Sequence, residues 1–284
     1  MQQNTREFKA LLWMLGTIIC FCSMAICIRE LSDTHSAFDI QFLRNFFCIL
    51  ILLIIYFYKK NANLHTKQTK NNVYRNIFHF IGQSGWTWGL TVLPLSTVFS
   101  IEFTMPIWAS IIAVIFLKER MNVNKIIFLI LGLFGTLIIL SPNKNSINEY
   151  AIIVLFAAIA YAIAHNLTKV LTKTDSIISI LFWMSILQLP LSLVGAFIYG
   201  GIKIPYIQDF PLIITFAIAS LCAHLCLANS LKLADATFVL PLDYIRLPVI
   251  AFLGWYIYNE NITINIVVGS LLIIISSLTI IKGK

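Results

Sequence analysis

From Ala10 onward the chain reads as one apolar run after another, each about as long as a bilayer is thick and each divided from the next by a short polar connection. A hydrocarbon core of roughly 30 Å needs about 20 helical residues to cross it, whereas a barrel strand needs about 10 of alternating character. Inside hydrocarbon every backbone N–H and C=O must be paired within its own segment, and a lone apolar segment can do that only as a helix. The chain is therefore expected to be an all-α integral membrane protein. Its 59% apolar and 11% charged residues exclude a soluble domain of this length.

Ten spans can be drawn, over 10–28, 38–57, 73–92, 96–117, 123–141, 150–170, 177–198, 211–231, 236–258 and 263–281. The short MQQNTREFK tail and the first run superficially suggest a signal peptide. That run continues for a full span without a clear cleavage site, so it is read as the first transmembrane helix. The net charge of +8 could suggest nucleic acid, but the basic residues sit in short loops between apolar runs, and no nucleic-acid partner is expected. With the N-terminus in the cytoplasm, fifteen Lys and Arg, Arg75 among them, fall on the inner side. Only Arg29, Lys144 and Lys203 fall outside, with Arg44 and Arg246 within spans. This bias places the chain in the cytoplasmic (inner) membrane with both termini in the cytoplasm.

Sliding the second half over the first by 141 residues superposes Ser96 on Thr237, Glu102 on Asp243, Phe103 on Tyr244 and Glu119 on Glu260. Two five-helix repeats follow, over 8–142 and 149–283. An odd number of spans per repeat makes them inverted in the membrane.

The ninth span, in ADATFVLPLDYIRLPVIAFLGWYIYNE, carries Asp243, Arg246, Pro241 and Pro248. A charged side chain at a bilayer centre costs about 2.5–3.5 kcal/mol on insertion scales, so these charges must face protein or water. At i, i+3 spacing Asp243 and Arg246 share a helical face and can partly neutralise each other. Glu102, with Pro106 one turn later, occupies the matching place in the fourth span. Arg44, six residues into the second span, either snorkels to the outer headgroups or faces a solute cavity. His79, Gln83 and Trp86 follow i, i+4, i+7 spacing in the third span, a stripe suited to stacking on a planar solute or to joining helices. Gln83 aligns with His224. The candidate substrate-binding set is thus Arg44, His79, Gln83, Trp86, Glu102, His224, Asp243, Tyr244 and Arg246. His165 and Asn166 are weaker candidates, and Glu119 and Glu260 are expected to cap helix ends or close gates.

The six cysteines all fall within spans and are read as packing residues. Cys222 and Cys226 share a face from which His224 points away, so no metal site is expected, and no cofactor either. No GxxxxGK[ST] segment is present; a transporter of this sequence would run on protons or on a counter-exchanged metabolite. An intramembrane enzyme is the rival class. The histidines are scattered, with no HExxH and no GxSxG, and the chain is read as a non-enzyme.

The segments FDIQFLRNF, LPLSTVFSIEFTMPIWASIIAVIFLKER and ADATFVLPLDYIRLPVIAFLGWYIYNE resemble the EamA-type permeases of the drug/metabolite transporter superfamily. The resemblance implies a ten-helix secondary transporter of small organic metabolites, working by alternating access around a central cavity. The ninth-span pattern is similar to members that carry S-adenosylmethionine or riboflavin. If Arg44 faces the cavity, two cations, Arg44 and Arg246, against two acids, Glu102 and Asp243, suit an amphipathic or zwitterionic solute, with amino acids and drugs as the alternatives within the fold.

Overall fold

A computed structural model of the chain describes residues 2–32, 34–58, 64–92, 95–140, 149–259 and 261–282. Among the described residues there are helices and no strand, as a lipid environment requires. In the first half run α1 (Gln2–Leu31), α2 (Ala37–Tyr58), α3 (Thr69–Val92), α4 (Leu95–Glu102), α5 (Met105–Phe116) and α6 (Val123–Leu140). In the second run α7 (Glu149–Leu171), α8 (Ile177–Ile198), α9 (Phe210–Leu233), α10 (Ala236–Val239), α11 (Arg246–Tyr258) and α12 (Ile264–Lys282). Among the described residues seven helical stretches are long and apolar enough to cross a membrane, and Met105–Phe116 and Ile264–Ser276 are shorter apolar helices. Large apolar side chains stand exposed on them, Phe57 at 78% and Phe116 at 75%, a surface that suits lipid and not water.

Two departures from the drawn spans have local causes. The first helix starts at Gln2 and not near Ala10, because nothing in the tail breaks a helix. The fourth and ninth spans are each interrupted. The fourth divides into α4 and α5 at Phe103–Thr104, with Pro106 in the first turn of α5, where its missing N–H leaves no partner unsatisfied. The ninth passes from α10 through a 3₁₀ segment, Leu240–Ile245, before α11, with Pro241 at the start of that segment.

Element limits recur along the chain. α4 starts at residue 95 and α10 at residue 236, which differ by 141; α5 and α11, at 105 and 246, differ by the same amount, as do both ends of α3 and α9. Among the described residues Lys118 and Asn259, also 141 apart, are the non-glycine residues with positive φ, at 56° and 53°, and each follows the end of its helix.

The chain forms two compact units, each drawing on both halves of the sequence. Unit one comprises Met1–Leu11, Ile81–Asn166 and Leu233–Lys284; unit two comprises Leu12–Phe80 and Leu167–Lys232. In unit one, α6 packs on α12 backbone to backbone. A Cβ on Gly135 would lie 2.8 Å from the carbonyl oxygen of Gly269, and one on Gly269 would lie 2.5 Å from that of Gly135. Close approach of small residues is how helices associate where lipid competes for apolar contact. Phe103, Leu129, Tyr244, Leu247 and Ile273 form the core beside this pair. In unit two, α2 packs on α8, and Cys48, Leu52, Leu181, Met184, Ala217 and Leu221 share a core.

Candidate functional site

The interruption of two helices creates the polar centre of unit one. Arg246, at the start of α11, donates from Nη2 to Glu102 Oε1 and lies equally close to Asp243 Oδ2, both at 3.0 Å. The second oxygen of Glu102, Oε2, accepts from Trp86 Nε1 at 2.8 Å. Both carboxylates are thus drawn to one guanidinium, and two acids against one base leave the cluster with a formal charge of −1. The side chains of Glu102, Asp243 and Arg246 are 13%, 8% and 20% exposed. Asp243 Oδ1 is buried with no hydrogen-bond partner, an acceptor left open at the centre of the cluster.

Aromatic faces surround these charges. The Arg246 guanidinium lies 4.9 Å from the centroid of Phe103, within cation–π range. Phe103 stacks on Tyr244 with ring centroids 6.3 Å apart, and Trp86 meets Phe99 edge to face at 6.1 Å. Tyr244 is wholly buried, and its ring lies so close to α6 that a Cβ on Gly132 would sit 2.4 Å from Cδ2. Tyr244 therefore backs the cluster, with its hydroxyl buried and unpartnered. Gln83, one turn before Trp86, is half-buried in the same unit.

Arg44, His79 and His224 belong to unit two, where a second polar network forms. Arg44 is 1% exposed and donates from Nη2 to Asn45 Oδ1 at 3.0 Å and to Gln188 Oε1 at 3.1 Å. Snorkelling is thereby overturned: amide oxygens inside the unit supply the acceptors that headgroups would otherwise provide. Gln188 Nε2 lies 3.1 Å from His79 Nδ1, and His79 meets His224 at 5.2 Å between ring centroids. The stripe His79, Gln83, Trp86 is thus divided, His79 serving one unit and Trp86 the other.

Arg75 is a buried cation that the sequence reading did not place in a site. Read from the sequence as an inner-side residue flanking a span, it is 1% exposed within α3, donating to Thr168 Oγ1 and Asn76 Oδ1. The sequence around it carries a repeated pair. Arg-Asn occurs at 44–45 and at 75–76, and in both pairs the guanidinium donates to the amide oxygen of the next residue. Gln188 and Ser192, two of the polar positions of a mostly apolar α8, complete the network, Ser192 Oγ accepting from Asn45 Nδ2 at 3.3 Å.

The weaker candidates have structural partners. Asn166 donates to the carbonyl oxygens of Ala109 and Ala162, and His165 stacks on Tyr161. Glu119 caps α10, its two oxygens accepting from the N–H groups of Ala236 and Thr237 at 2.9 Å each. Glu260 lies outside the described residues. No group of three or more metal-ligating side chains occurs among the described residues.

The chain matches the EamA-like transporter family twice, over residues 8–141 and 149–282. It is 27% identical over 275 residues, 96% of this chain and 92% of the relative, to an S-adenosylmethionine uptake transporter of Rickettsia prowazekii. It is 26% identical over 223 residues, 77% of this chain and 78% of the relative, to a riboflavin transporter of Brucella anthropi. A solved crystal structure 12% identical in sequence matches with a TM-score of 0.83 over 95% of this chain and 96% of its own, a likeness of fold alone.

Proposed function

The chain belongs to the EamA-like transporter family and is a multi-pass membrane transporter, not an enzyme; from that premise we propose that it is a secondary permease for a small organic solute carrying a cationic group. S-adenosylmethionine is the leading substrate. One observation carries this reading: the Glu102–Arg246–Asp243 cluster, one negative charge in excess, set among the rings of Trp86, Phe99 and Phe103 at the breaks of two helices. Charges are retained inside a membrane where they meet a solute or each other, and here the carboxylates outnumber the base. S-adenosylmethionine offers a sulfonium and an ammonium to the carboxylates and an adenine ring to the aromatic faces. The likeness to an S-adenosylmethionine uptake transporter over nearly the whole chain supports the same substrate.

Ten crossings in two inverted five-helix repeats, 8–142 and 149–283, are part of the proposal, as is an inner-membrane location with both termini in the cytoplasm. The recurrence of element limits at 141 residues supports the duplication, and the bias of basic residues supports the orientation. Broken helices at a substrate site suit alternating access. Protonation of Glu102 or Asp243, or exchange against a second metabolite, would drive transport.

Riboflavin is the second reading, favoured by the likeness to a riboflavin transporter and by a flavin's fit to stacked rings without need of a carboxylate. Uptake of radiolabelled S-adenosylmethionine into proteoliposomes separates the two. Saturable accumulation of unmodified label, competed by unlabelled S-adenosylmethionine and not by riboflavin, is expected. Uptake no greater than in protein-free vesicles refutes the substrate; a chemically altered label refutes the transport reading.

A further inference from the structure

The network in unit two holds a charge that recognition of a cation does not use. Arg75 is 1% exposed, and a guanidinium keeps its proton at any physiological pH. Its hydrogen bonds run from Nε to Thr168 Oγ1 at 3.2 Å and from Nη1 to Asn76 Oδ1 at 2.9 Å, both neutral acceptors. Among the described residues no carboxylate lies within ion-pair distance of it. A second buried guanidinium, that of Arg44, belongs to the same hydrogen-bonded network. The two are joined by a pair of amides: Gln188 Oε1 accepts from Arg44, while Gln188 Nε2 donates at 3.3 Å to the Asn76 oxygen that also accepts from Arg75.

Amide oxygens satisfy hydrogen bonds and leave charge uncompensated. Breaking or omitting one partner of a buried ion pair is strongly unfavourable, and a second like charge nearby adds to it. The fork of a guanidinium is shaped for carboxylate and phosphate oxygens, and here two such forks share one network of amides.

We propose that Arg75 and Arg44, spaced by Asn76 and Gln188, form an oxyanion-binding site in unit two that takes a carboxylate or phosphate group. That this group belongs to a carried solute rests on the transport reading; the site itself rests on the buried charge of Arg75. Arg75 is then a binding residue and not an inner-side anchor of the third span.

The test is thermal unfolding of the purified full-length protein titrated with sodium acetate or with sodium phosphate, against sodium chloride at equal ionic strength. A saturable rise of several degrees with an oxyanion is expected in the wild type and in Glu102→Gln, and loss of that rise in Arg75→Gln. The acetate and phosphate arms decide between a carboxylate and a phosphate. Arg75→Gln is also expected to match or exceed the wild-type melting temperature in chloride alone, because it removes an uncompensated buried charge, whereas a purely structural arginine would lower it. Should that variant fail to fold, Arg44→Gln and the wild-type titration stand in its place. No saturable rise in the wild type, or an equal rise in Arg75→Gln, overturns the site. If liposomes show uptake without an oxyanion-dependent shift, the site fails and transport stands; a shift without uptake of any solute has the opposite meaning.

Discussion

Replacing Glu102 by Gln tests the unit-one cluster most directly, because its two carboxylate oxygens serve two different donors. Trp86 Nε1 uses Oε2 at 2.8 Å and Arg246 Nη2 uses Oε1 at 3.0 Å. Glutamine has one oxygen and an amino group, so one donor must then face another donor. The loss is one charge-assisted bond, about 1.5–3 kcal/mol, moderated because Arg246 keeps Asp243 at 3.0 Å. The effect on a cationic solute is separate. The cluster's formal charge goes from −1 to 0, and one charge acting at about 6 Å through an effective dielectric of about 20 is worth about 3 kcal/mol. That corresponds to roughly 100-fold in affinity. The assay is the KM for S-adenosylmethionine uptake into proteoliposomes holding equal amounts of inserted protein, with Glu102→Asp as the charge-keeping control. A rise in KM of one to two decades in Gln and a smaller one in Asp is expected. A KM within twofold of wild type in Glu102→Gln would remove the cluster from solute recognition.

Asp243→Asn should cut uptake at least tenfold with normal membrane insertion, since it removes the other carboxylate facing Arg246; unchanged kinetics would place Asp243 outside the pathway. Arg44→Lys should lose most activity, because a single ammonium cannot reproduce the fork that reaches Asn45 and Gln188, and retained uptake would return Arg44 to a structural role. Gly132→Ala places a Cβ 2.4 Å from the Tyr244 ring, so overpacking of about 1–3 kcal/mol should appear as a lower melting temperature; an unchanged one would show that Tyr244 is free to move. Glu119→Gln should destabilise by about 1 kcal/mol through loss of one of two backbone bonds at the start of α10, read by the same thermal assay.

Much of this molecule was readable along the chain. The pairing of Asp243 with Arg246 followed from their spacing, whereas the fourth and ninth spans, drawn unbroken over 96–117 and 236–258, are interrupted, with Pro106 and Pro241 beside the breaks. The link from Glu102 to Arg246 spans 144 residues, and only the correspondence of Glu102 with Asp243 hinted at it. Nothing local placed Gln188 between Arg44 and Asn76, since an isolated glutamine in an apolar helix reads as a minor blemish. Nothing local gave the burial of Arg75, since a basic residue near the start of a span ordinarily anchors that span at the headgroups, and burial depends on what the rest of the unit offers it.

The sequence by itself determined that the chain is helical and membrane-embedded, and that Glu102, Asp243 and Arg246 must turn away from lipid. Those properties follow from costs that each residue incurs against the bilayer wherever its neighbours lie. Only the tertiary structure decided which charge meets which: Glu102 and Asp243 converge on one arginine in unit one, while Arg44 and Arg75 share amides in unit two. The physical reason is range. Transfer into hydrocarbon is summed residue by residue along a span, but a hydrogen bond near 3 Å exists only when packing brings together side chains that the chain itself holds a hundred or more positions apart.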